Sequence, residues 1–184
     1  MTRNNRQIFQ EPTDQDEDDF NVVYLGGFVQ HAYTFWEIAQ AYKVAGDILV
    51  EKVLSKKFEG YELIYPILFN YRHCLELYLK SFVFTEVKES HNLKFILEKF
   101  EIYIKEHHKI NVPTEYKKML LELYDFDKNS TAFRYPGEIK SQNVGDYGEF
   151  RIHLVRLKET MNDFKVSFDR IAEADPNLKR IKLK

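Results

Sequence analysis

Arg72, Glu76 and Lys80 recur at four-residue steps, which puts a guanidinium, a carboxylate and an ammonium on one line of a helix. His73 stands beside that line, and Phe69 is the one apolar residue on its side. A buried helix with such a ridge must pair its charges, open them to water or use them. Two more imidazoles are suited to proton transfer. His91 precedes a helical stretch, where the positive end of the helix dipole favours the neutral base, and His153 flanks a later apolar seam. Arg134 adds a planar cation which, like Arg72, is of the type that holds a phosphate bidentately. Each has a structural alternative. Arg72 with Glu76 reads equally as an ion pair extended by Lys80, His91 as a residue that caps or packs at a helix start, and His153 as a hydrogen-bonded core histidine. Arg134 would then cap a helix C-terminus or close its loop through Glu76, and His107-His108 reads as a solvated tip.

The ridge needs a central helix. Ile64, Leu68, Tyr71, Leu75, Leu79 and Phe82 fall at steps of four, three, four, four and three, and Leu63, Ile67, Cys74 and Leu77 widen the seam beyond what a surface helix exposes. This predicts a helix running to about Thr85, with Gly60 as the stop of the preceding helix and Pro66 in the first turn. An earlier helix is expected over about 28–58. Its Ala32, Ala39 and Gly46 repeat every seven residues and admit another helix closely, while Phe35, Ile38, Tyr42 and Ala45 form a second apolar line for the bundle interior or a dimer face. Ser90 is the expected cap of a third helix, and Pro113-Thr114 opens a fourth with Tyr116, Met119, Leu120 and Leu123 inward. Four Gly and Pro residues mark 128–148 as a long loop. The last helix carries Phe150, Leu154, Leu157, Met161, Phe164, Phe168 and Ile171 and ends at Asp175-Pro176.

Among 184 residues, 7 Gly and 5 Pro leave few turn signals, so an all-α fold of about five main helices is expected. Residues 1–20 read as a disordered acidic arm, 21–175 as one helical domain and 176–184 as a basic tail, a solubilising fringe or a phosphate contact. The net charge of -2 argues against coating nucleic acid by bulk charge, while a local basic site stays open. A single Cys, Cys74, allows no intramolecular disulfide, and the absence of signal-like or membrane-spanning runs points to a cytoplasmic protein without membrane contact. Nucleotide loops of the GxxxxGK[ST] and GxGxxG types are missing, as are HExxH and GxSxG. Glu149-Phe-Arg-Ile-His153 is one residue too long for a di-iron Glu-x-x-His pair, so neither metal nor cofactor is expected.

Three segments together resemble the HEPN superfamily, in its bacterial branch with an RHxLELxLK helix, an HxL helix start and an FRYP loop. They are Tyr71-Arg72-His73 with Leu75-Glu76-Leu77 and Leu79-Lys80, then His91-Asn92-Leu93, then Phe133-Arg134-Tyr135-Pro136. The resemblance spans roughly 60–172. It implies an up-and-down four-helix bundle, here with an N-terminal helical extension, that forms a homodimer and binds RNA or a nucleotide. Many such proteins are metal-independent ribonucleases of toxin–antitoxin or phage-defence systems, which would make a cognate antitoxin a partner. With the residue chemistry above, the catalytic candidates are His91, Arg134, His153 and Arg72, and the substrate-binding candidates Glu76, Lys80, Tyr135 and His73. The usual catalytic Arg followed after four to six residues by His is absent, since Arg151 and His153 are separated by one residue. The alternative is a non-catalytic helical dimerisation or partner-binding module.

Overall fold

A computed structural model describes residues 34–128, 130, 132–134, 151–175 and 178. The acidic arm, Tyr135, most of the 128–148 loop and all of the basic tail but Leu178 lie outside the described residues. Five helices and no strands make up the described part: α1 (Phe35–Leu54), α2 (Gly60–Val87), α3 (Leu93–His108), α4 (Thr114–Phe126) and α5 (Leu154–Ala174). The fold is all-α, as expected. Consecutive helices from α1 to α4 pack on one another through short connections, and α5 packs back on α1.

Helix α2 is the centre of the molecule. The predicted seam is buried at Leu68, Tyr71, Leu75, Leu79 and Phe82, and Ile64 is half-buried. Aromatic rings join the other helices to it: Trp36 meets Tyr78 edge-on at 4.7 Å, and Phe168 stacks on Tyr78 at 5.1 Å. Phe82 packs against Phe100 at 5.2 Å. Such offset and edge-on pairs add about 0.5–1.5 kcal/mol each beyond their burial. The small-residue stripe of α1 does admit a close neighbour, which is α2 itself. A Cβ at Gly46 would lie 2.5 Å from the Tyr71 ring, so the crossing requires glycine there.

Helix ends depart from expectation because caps decide them. Helix α1 begins at Phe35, and the expected stretch 28–33 lies outside the described residues: the Thr34 hydroxyl accepts from Glu37 N–H at 3.2 Å and the Glu37 carboxylate accepts from Thr34 N–H at 2.6 Å, a capping box. It ends at Leu54, short of 58, with Lys56 in the left-handed region at φ 56°. Lys56 N–H bonds the Val53 carbonyl at 2.9 Å and Lys57 N–H the Lys52 carbonyl at 3.0 Å, the two bonds of a Schellman stop. Gly60 therefore begins α2 instead of stopping α1, and Pro66 falls past its first turn. Asn92, not Ser90, caps α3 by accepting from Phe95 N–H at 3.0 Å, while Ser90 accepts from Asn92 N–H at 3.2 Å. Met119, expected inward, is 39% exposed beside the buried Leu120. Helix α5 begins at Leu154, later than the Phe150 seam suggested.

Candidate functional site

Charges on a central helix lose their water, and the ridge of α2 is sealed. Arg72 is 1% exposed, Glu76 0% and Lys80 4%. Glu76 receives Arg72 Nη1 at 2.9 Å on one oxygen, and Lys80 Nζ at 3.0 Å on the other. The chain just after α4 supplies the rest. Asp127 ends α4 with its N–H on the Leu123 and Tyr124 carbonyls at 3.1 Å, and its buried carboxylate lies 3.2 Å from Arg72 Nε. That contact is an ion pair whose angle falls outside hydrogen-bond geometry. The other Asp127 oxygen accepts from Ala132 N–H at 3.0 Å. This turn holds Ser130, at φ 59°, where its hydroxyl accepts from Arg72 Nη1 at 2.9 Å. Arg72 Nη2 donates to the His91 carbonyl at 2.9 Å. Every nitrogen of the guanidinium thus faces a protein oxygen, and two buried cations balance two buried carboxylates.

His91 is where this network meets water. It precedes the Asn92 cap of α3, its Nδ1 is 2.8 Å from Glu76 Oε1, and its side chain remains 64% exposed. Burial acts to raise the Glu76 carboxyl, but Lys80, His91 and Arg72 outweigh it and hold it below its ordinary value. An ionised carboxylate only accepts hydrogen bonds, so in the neutral ring Nδ1 carries the proton and Nε2 is left as an acceptor. His73 lies nearby on α2, its ring stacked on Phe69 at 5.8 Å and edge-on to Tyr42 at 4.5 Å. Burial pushes its imidazole below the ordinary value; Arg72, Lys80 and His91 push the same way, and Glu76 opposes them.

The structure brings together Arg72, Glu76, Lys80, His73 and His91 from the sequence-derived candidates. Arg134 joins them indirectly, donating from Nε at 2.8 Å and Nη2 at 2.5 Å to the Ser130 carbonyl. His153 stands apart. It is the exposed cap of α5, its Nδ1 accepting from Arg156 N–H at 3.4 Å, and it bonds to nothing in the Arg72 network, so it does not face the bundle as expected. Asp127 and Ser130 were missed, and the only signal was their place at the mouth of a loop already singled out by its length. Of the expected solvated tip His107-His108, His107 is exposed but His108 is not: its Nε2 lies 3.2 Å from the buried Asp175 carboxylate, which also accepts from the Tyr103 hydroxyl at 2.5 Å. Among the described residues no group of three or more His, Cys, Asp or Glu side chains is placed to hold a metal ion, and no helix is long and apolar enough to cross a membrane. Cys74 is buried and unbridged, its thiol pushed up to about 12 by burial.

No protein-family model, no curated protein and no solved structure matches this chain.

Proposed function

We propose that the chain is a HEPN-like, RNA-directed domain in which His91 is the general base of a metal-independent ribonuclease. The observation that carries this reading is the exposed His91 ring with Nδ1 fixed on the buried Glu76 carboxylate at 2.8 Å. The substrate class comes from the resemblance of the three sequence segments. In this reaction Nε2 takes the proton of a ribose 2′-hydroxyl, the 2′-oxygen attacks phosphorus, the P–O5′ bond breaks and the leaving 5′-oxygen takes a proton from solvent. Arg134 supplies charge to the phosphate from the loop side. Arg72 is sealed in the bundle with each of its nitrogens facing a protein oxygen, so its part is positioning: it holds Glu76, the His91 carbonyl and Ser130 in register. Toxin or phage-defence biology, a homodimer and a cognate antitoxin belong to the same reading.

The test is incubation of the purified chain with tRNA and single-stranded RNA in EDTA, with fragment ends mapped. Wild type should leave 2′,3′-cyclic phosphate ends. His91→Ala should lower the rate by about 100-fold or more, since one positioned base contributes about 10²- to 10⁴-fold. Its melting temperature should move little, since the ring is mostly exposed. A folded wild type that neither cleaves nor binds these RNAs would overturn the reading. The enclosure of Arg72 between Glu76 and Asp127 then favours the alternative, a non-catalytic partner-binding module whose ridge locks the bundle.

A further inference from the structure

A second feature owes nothing to the charged ridge. Between α3, α4 and α5 lies a cavity of about 270 Å³, floored by the buried Phe100, Ile104, Leu120, Phe164 and Phe168. Val112 and Pro113 of the α3–α4 connection close one side, and Ile110, 50% exposed, stands at the mouth. Of the polar side chains on the wall, Ser167 donates to the Tyr116 hydroxyl at 3.2 Å, and Asn111 is exposed. No buried polar atom left without a hydrogen bond belongs to this lining. The interior therefore asks for an apolar guest. No acidic side chain lines the chamber, and Arg170 is its one ionic group. Arg170 is exposed and makes no ion pair among the described residues, its neighbour Asp169 being taken by Lys165 at 2.5 Å.

We propose that this chamber binds a medium-chain carboxylate, its hydrocarbon among the phenylalanines and its headgroup on Arg170. Size sets the chain length. With a methylene filling about the volume of a water, near 30 Å³, the space holds a chain of about eight to ten carbons. A nucleotide is too large and too polar for such a lining. Charge complementarity at the mouth selects an anionic headgroup over an alcohol or an amine.

The test is calorimetric titration of the full chain with hexanoate, octanoate, decanoate and decanol, the carboxylates below their micellar concentrations and decanol below its solubility limit. Affinity should rise about fourfold per added methylene up to decanoate. Arg170→Gln, at an exposed position, should weaken decanoate by about two- to fivefold and leave decanol unchanged. Ser167→Leu, which projects into the chamber, should abolish binding of both. Three results would each overturn the proposal: no saturable binding of decanoate to wild type, equal affinity for decanol with no effect of Arg170→Gln, or full binding by a folded Ser167→Leu protein. If Ser167→Leu does not fold, the chain-length series and Arg170→Gln decide.

Discussion

The Arg72 network and a second one around Lys43 both set a cation and a carboxylate four residues apart on a helix, and they finish differently. In the second, Lys43 Nζ bonds Asp47 at 2.7 Å and Asn162 of α5 at 2.6 Å, and Asp47 accepts from the Tyr71 hydroxyl at 2.8 Å. It ties α1, α2 and α5 together. Its carboxylate keeps 23% of its side-chain surface in water, whereas both Arg72 and Glu76 keep 1%. The group through which each network reaches solvent also differs. The Lys43 network reaches water through the Asp47 carboxylate and the amide of Asn162, while the Arg72 network reaches it through the imidazole of His91. Burial of charge alone therefore does not single out a site. What distinguishes the α2 ridge is a fully desolvated carboxylate that orients an exposed base.

The comparison breaks most sharply at the cations. Arg72→Met leaves Glu76 and Asp127 as buried carboxylates short of a counter-charge, and removal of one partner from such a pair costs about 3–5 kcal/mol. Chemical denaturation should show a loss of that size, and the 130–134 turn should lose protection from hydrogen exchange because Arg72 no longer holds the Ser130 hydroxyl. Lys43→Met should cost less, about 1–3 kcal/mol, because Asp47 retains both water and the Tyr71 hydroxyl. Equal losses in the two variants would mean that solvent access at Asp47 does not soften the second network, and the contrast would fall.

Much of this was legible. The seam of α2 and its charged ridge follow from residue spacing, which a long helix reports well. The pairing of Arg72 with Glu76 and Lys80 was legible for the same reason, as an i,i+4 series. Helix ends were harder. Thr34-x-x-Glu37 is a readable capping signature, but the α1 stop rests on a lysine at positive φ, a position where glycine would have given the signal. Asp127 and Ser130 reach Arg72 from far along the chain, and such a contact leaves no local period to detect. The misplacement of His153 has a definite cause. A helical reading begun at Phe150 put its ring on a flank, whereas the helix begins one residue after it and uses the ring as a cap.

Acid should separate the two networks with the smallest effect. His73 is held below its ordinary value of 6.5 by burial, so the unfolded chain binds a proton there at a pH where the folded chain does not. Its contribution to stability is complete above 6.5 and declines as pH falls below 6.5 towards the lower folded value. Glu76, held below 4.5 against its own desolvation, contributes fully above 4.5 and loses that contribution as pH falls from there through its folded value. The melting temperature should therefore fall in two stages on acidification, and the difference between wild type and His73→Gln isolates the upper one from the general titration of surface carboxylates. His73→Gln should flatten the profile as pH falls below 6.5 and leave the Glu76 stage in place, whereas Lys43→Met should shift the whole curve down and keep both stages. An upper stage that survives His73→Gln would assign it to another group and remove the Tyr42–His73–Phe69 cluster from the acid response of the ridge.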